Sequence, residues 1–136
     1  MSSDKAFVER LEVWEIARLI PNARNARTHS DEQVAEIAGS ILAFGFMTPV
    51  LVDSAGLIIA GHGRVLAARR LKLDRVPVII ADHLSDAEKR AYAIANNRIA
   101  LNAGWDEEIL QVELESLKDD GIDPATLGFS QEELDE

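Results

Sequence analysis

The chain has 136 residues, 47% of them apolar, with no cysteine and a formal net charge of −10. That length suits a single domain with a modest core. The lack of cysteine excludes disulfides, thiolate zinc sites and thiol nucleophiles. No apolar run approaches the ~20 residues that span a bilayer, and "MSSDKAFVERLEVWEI" has no continuous apolar core of the signal-peptide kind, so a cytoplasmic protein with no membrane partner is expected.

In chain order, "LEVWEIARLI" (residues 11–20) reads as a first strand ending at Pro21-Asn22, and the polar "NARNARTHS" that follows reads as a loop. Ser30 and Gln33 have the spacing of a capping box. The helix they open is expected to bury Val34, Ile37, Ile41 and Phe44 and to stop at Gly45. "PVLVD" (49–53) and "LIIA" (57–60), separated by Ser54-Ala55-Gly56, read as a hairpin. A helix from after Gly63 to about Leu73 and a strand at 76–80 follow. Ser85 with Glu88 opens a further helix reaching about Leu101, and Asp106 caps another over roughly 107–119, ended by Gly121. Asp123-Pro124 marks a loop. Ser130 with Glu133 starts a last helix that the chain cuts short, which leads us to expect an excised domain or the N-terminal part of a larger protein. The pattern is α/β (α+β in detail), with a ligand-bearing domain over 1–104 and an acidic helical extension over 105–136.

The charge is unevenly spread. Residues 1–17 carry two basic and four acidic side chains, residues 18–98 eleven and eight, and residues 99–136 one and twelve. The mildly basic middle suits a nucleotide or nucleic-acid backbone, and the acidic tail repels one.

Chemistry concentrates in "IIAGHGRVLAARRL" (residues 58–71), where an apolar strand runs through Gly61, His62, Gly63 and Arg64 into a helix. A helix N-terminus presents free N–H groups and the positive end of the helix dipole to an anion. Gly61 and Gly63 let backbone approach a ligand and take positive φ, and Arg64 offers a forked contact to phosphate oxygens. The alternative is a plain strand-to-helix turn, since the stretch has neither the dinucleotide fingerprint nor a Walker lysine. His62 is the candidate catalytic group, as a hydrogen-bond donor to phosphate or a general base. His29, His62 and His83 lack the spacing of a helical metal pair.

Four segments in order carry a family resemblance. "IPNARNAR" (20–27), "GFMTPVLV" (45–52), "IIAGHGRVLAARRL" and "ANNRIALNAGW" (95–105) together resemble the N-terminal, ParB-like nuclease domain of the ParB/sulfiredoxin superfamily. The resemblance implies a small mixed sheet with packed helices and a helical C-terminal part. It also implies a bound CTP or other nucleoside triphosphate with Mg2+. The base would lie at Gly45, Thr48 and Pro49, the phosphates on Gly61, His62, Gly63 and Arg64 with Arg27 reaching in, and Asn97 near the phosphates and metal.

Departures from the family pattern bear on chemistry. Asn96-Asn97 stands where partition proteins have Glu-Asn, which removes a carboxylate expected to help with magnesium. His62 and Gly63 replace a glutamate and an arginine. Without cysteine, sulfinic-acid reduction is excluded. "NARTHSDEQ", "GHGRVLAARRL" and "NAGWDEE" most resemble the ParB-like domain ahead of phage and bacterial DNA-modification methyltransferases, which implies a fused or associated methyltransferase or other C-terminal domain.

Three functions follow as expectations. The first is a regulatory nucleotide-binding domain that pairs with itself as a homodimer. The second is a nuclease or phosphohydrolase. The third is a non-catalytic adaptor that tracks DNA with Arg24, Arg27, Arg69, Arg70, Lys72 and Arg75.

Overall fold

The computed structural model describes residues 10–23, 28–102, 104–129 and 133–134. The chain divides into two compact units, Met1–Ala100 and Leu101–Glu136.

In the first unit, β1 (Leu11–Glu15), β2 (Val50–Val52), β3 (Ile58–Ala60) and β4 (Arg75–Ile80) form one mixed sheet in the order β1-β4-β2-β3. β4 lies antiparallel to β1 and parallel to β2, and β2 and β3 form an antiparallel hairpin. Along β4 the alternate residues Val76, Val78 and Ile80 are buried, the period-2 signature of a strand with one face on the core. Trp14, Leu19, Val50, Val52, Ile58, Val65 and Ala68 complete that core.

Pro77 occupies a central strand without breaking it. Ile80 N–H donates to the Arg10 carbonyl and Ile16 N–H to that of Asp74. The hydrogen-bonded pairs with β1 therefore fall on even-numbered residues. Pro77, opposite Val13, sits in a non-hydrogen-bonded pair, and the ladder to β2 starts one residue later at Val78. No ladder bond is lost to the missing N–H.

The first strand is shorter than the expected 11–20. It ends at Glu15, and Ile16–Arg18 turn in a 3-10 helix. The reason is packing: Trp14 and Leu19 enter the same core, and a straight strand would send them to opposite faces. The Arg18 guanidinium caps the turn by lying over the Trp14 ring, 3.7 Å from its centroid. A β-carbon at Gly56 (φ +100°) would strike the Arg18 carbonyl oxygen, so the hairpin closes tightly on this turn.

α1 (Asp31–Phe44) is capped by Ser30, whose Oγ accepts from Gln33 N–H at 3.1 Å. The Gln33 side chain is found on His29 instead, with Oε1 2.9 Å from Nδ1. α1 packs on α2 (His62–Arg70) through Val34, Ala38 and Ala67, with Ile37 and Ile41 beside them. Small residues at 38 and 67 bring the helices together and leave Phe44, expected to be buried, 55% exposed at the C-terminal end of α1. α2 starts two residues earlier than the expected position after Gly63, because Gly61 in the left-handed region (φ +104°) is its N-cap.

α3 (Asp86–Asn102) opens with a full reciprocal capping box: Glu88 N–H donates to Ser85 Oγ at 3.2 Å, and Ser85 N–H to Glu88 Oε1 at 3.0 Å. One turn in, Lys89 Nζ lies 2.9 Å from Asp53 Oδ2. Asp53, 6% exposed, also accepts from Ala55 and Leu57 N–H and so shapes the β2–β3 turn.

In the second unit α4 (Glu107–Asp119) is capped by Asp106, which accepts from Ile109 N–H. Gly121 (φ +91°) follows its end. The segment expected to be a loop forms a 3-10 turn, Pro124–Leu127, because Asp123 caps it through Ala125 N–H. Trp105 and Phe129 pack ring on ring, centroids 5.8 Å apart. Ser130, the expected cap of the last helix, lies outside the described residues.

Candidate functional site

A cleft of about 730 Å³ opens in the first unit beside the start of α2. Its lining includes Gly61, His62, Gly63 and Arg64, the segment Gly45–Thr48, and Asn96 and Asn97 of α3. Of the residues singled out in the sequence, Pro49 is not part of this lining, and Arg27 and Arg24 lie outside the described residues.

The two glycines of the turn serve different ends. Gly61 takes positive φ, which lets β3 swing directly into α2, with Val65 N–H closing the first turn on the Gly61 carbonyl at 3.1 Å. Gly63 does not have positive φ, contrary to expectation. It is helical and buried, and a β-carbon there would sit 3.0 Å from His29 Nδ1 and Cε1 and from Ile37 Cδ1. The space its missing side chain leaves is shared by His29 and Ile37. The first turn of α2 holds no acidic residue, which leaves the positive dipole end unopposed.

Arg64 folds back over the turn. Its guanidinium lies against Gly61, and Nη2 donates to the Pro49 carbonyl at 3.2 Å. The same side chain thus ties the start of α2 to the start of β2, and Pro49 acts by its carbonyl from just behind the cleft.

His62 is half-buried, and its Nε2 accepts from Asn22 N–H at 3.2 Å. That contact fixes the proton of the neutral ring on Nδ1. Burial, and after it the nearby His29, pushes the imidazole below its ordinary value, so the neutral form is favoured.

His29, Gln33, Ser40 and Ile41 also line the cleft and were missed in the sequence. The signal available was the i, i+4 pair His29–Gln33 beside the cap; Gln33 was read only as part of the Ser30 capping box, and His29 only for its lack of metal-pair spacing. No aspartate or glutamate is among the described lining residues. The side-chain oxygens present belong to Gln33, Ser40, Thr48, Asn96 and Asn97, all neutral, whereas Mg2+ is usually held by one or two carboxylates in addition to phosphates and water. Nor do any three His, Asp or Glu among the described residues form a metal-holding group. The donor set does not fit a protein-held magnesium ion.

A four-stranded mixed sheet with a glycine-rich strand-to-helix turn facing a helix end defines a recognisable class. Residues 2–98 match the ParB N-terminal domain, and the chain belongs to that family. Among its relatives, the ParB-like nuclease domain-containing protein YnaK of Escherichia coli K12 is 56% identical over 75 residues, covering 55% of this chain and 86% of that protein. The probable chromosome-partitioning protein ParB of Rickettsia bellii is 32% identical over 98 residues, 71% of this chain and 34% of the relative, so the chain spans about a third of it. Among solved structures, the C-terminally truncated chromosome-partitioning protein ParB from Caulobacter crescentus complexed with CTP-γ-S superposes with a TM-score of 0.71 at 25% identity, over 83% of this chain and 65% of that one. No helix among the described residues is long and apolar enough to cross a membrane.

Proposed function

We propose that the cleft binds a nucleoside triphosphate, with the phosphates on the N-terminal amides of His62, Gly63 and Arg64 and the base beside Gly45 and Thr48. The observation that carries this reading is that a single cleft is lined by both segments. The CTP-γ-S bound to the Caulobacter relative supports CTP as the first ligand to try. Asn97 and Arg27 are assigned to the same ligand on the family resemblance.

Occupancy of this site serves regulation: the domain acts as the nucleotide-responsive part of a larger DNA-associated protein, of the partition or methyltransferase kind. The exposed Arg69, Arg70, Lys72 and Arg75 supply the contacts to a DNA backbone. Calorimetric titration with CTP, ATP and GTP tests the reading. Saturable binding, weakened at least about tenfold by Arg64→Ala through loss of a charged contact worth ~1.5–3 kcal/mol, is the expected result. No saturable binding, or equal affinity in the variant, overturns it. DNA affinity that falls steeply with salt is expected if the basic residues track a backbone.

The name of the 56%-identical relative favours a second reading, a nuclease. In that case His62 would act through Nδ1 or exchange its Asn22 contact for substrate. Cleavage of supercoiled DNA by the wild type and not by His62→Ala would establish it.

A further inference from the structure

We infer that this site holds its anion without a divalent cation, and that His29 provides the counter-charge by taking up a proton when a phosphate-bearing ligand binds. The inference rests on the nucleotide reading above and deepens it.

Three observations carry it. Among the described residues, the lining of the cleft offers an anion Arg64, two imidazoles and neutral side chains, and no carboxylate that would hold a cation between protein and phosphate. The second concerns Gly63. A glycine inside a helix costs ~1 kcal/mol relative to alanine, and this one has no need of positive φ. What its bare α-carbon permits is the close seating of the His29 ring and of Ile37, with His29 Nδ1 and Cε1 and Ile37 Cδ1 each 3.0 Å from where a β-carbon would be. His29 is thereby built into the first turn of α2, where an anion sits on helix amides.

The third is the complementary tautomers of the two histidines. Gln33 Oε1 only accepts, so its 2.9 Å contact with His29 places a proton on Nδ1 and leaves Nε2 as the basic nitrogen. His62 is the reverse: Nε2 is engaged by Asn22 N–H and Nδ1 carries the proton. His62 therefore donates to an anion as it stands, and His29 donates through Nε2 only after protonation.

Besides His29, the polar side chains among the described lining of the cleft are His62 and Arg64 on α2, Gln33 and Ser40 on α1, Thr48, and Asn96 and Asn97 on α3. Asp31 and Glu32, the next acidic residues on α1, are exposed and not part of the lining. A phosphate held beside the His29 ring favours its protonated form.

Titration of the full chain with CTP, in EDTA and in excess Mg2+ and in two buffers of different ionisation enthalpy, tests the inference. Expected are affinities within about twofold in EDTA and Mg2+, tightening several-fold from about pH 8 to about pH 6, with a fraction of a proton taken up on binding. His29→Asn should abolish the uptake and flatten the pH profile, and His62→Asn should weaken binding yet leave the uptake in place. An NMR titration of the wild-type histidine rings reads the same event without a variant: one ring, assigned to His29, should titrate at higher pH with CTP bound than without. A strict requirement for Mg2+, an unshifted His29 ring, or proton uptake unchanged in His29→Asn overturns the inference and leaves the nucleotide reading intact. Failure to bind CTP, ATP or inorganic tripolyphosphate at any pH overturns both.

Discussion

α2 and α3 both contribute to the cleft, and they are held in opposite ways. α2 buries Gly63, Val65, Ala67 and Ala68 between the sheet and α1, so the α2 side of the cleft is part of the core. α3 buries no described residue: Ala93 and Asn97 are half-buried, while Tyr92, Ile94 and Ile99 are exposed. It is anchored through its first turns, by the Ser85–Glu88 box and the Lys89–Asp53 ion pair. One side of the cleft is therefore as stable as the fold. The other, carrying Asn96 and Asn97, depends on a few polar contacts and belongs to the class of element that opens locally before the whole unfolds.

The sharpest way to break this contrast is at Asp53. Asp53→Ala leaves the half-buried Lys89 ammonium only the longer, exposed Asp86 contact at 3.5 Å and removes the acceptor for Ala55 and Leu57 N–H. A loss of about 3 kcal/mol in urea denaturation is expected, with little change for a surface control such as Asp82→Ala. Lys89→Met should cost less, about 1–2 kcal/mol, and act locally: amide exchange in α3 should accelerate while α2 stays protected. Equal acceleration in both helices would erase the distinction.

Gly61→Val attacks the other side. It places a side chain in the left-handed region and within 3 Å of the Arg64 guanidinium. The expected cost is about 1–3 kcal/mol, with nucleotide affinity lost beyond what the stability change explains.

Acid sharpens the comparison further. Burial works to raise the Asp53 carboxyl, but the Lys89 ammonium and the N–H groups of Leu57 and Ala55 outweigh it, and the net shift is downward. A carboxylate lowered on folding contributes stability that is complete above its unfolded value and fades as pH falls through the folded one. Thermal stability should thus drop on acidification below about pH 4, and Asp53→Asn should flatten that limb. The smallest effect is expected at the α1 cap, where Ser30→Ala should cost ~1 kcal/mol.

What was legible in the sequence was local. The capping pairs Ser30–Gln33 and Ser85–Glu88, the stops at Gly45 and Gly121, and the hairpin around Gly56 each depend on residues a few positions apart. The strand-to-helix turn at Gly61–Arg64 was legible for the same reason. The site's other half was not, because it is made by meetings at long range: His29 over Gly63, the Arg64 guanidinium on the Pro49 carbonyl, His62 on Asn22 N–H. Gly63 illustrates the limit, since the room it leaves is taken by His29 and Ile37, 34 and 26 positions earlier in the chain, and it was read as backbone freedom. The end of β1 failed similarly, because nothing local says that Trp14 and Leu19 must share one core.

The two tryptophans of the chain are divided between its units: Trp14 is 4% exposed in the first, and Trp105 is 65% exposed in the second. Their fluorescence should differ accordingly, blue-shifted and shielded from iodide for Trp14, red-shifted and readily quenched for Trp105. With Trp14→Phe and Trp105→Phe in hand, the emission of each unit can be followed alone, and the chain carries its own pair of optical reporters for asking whether the two units melt together or in turn.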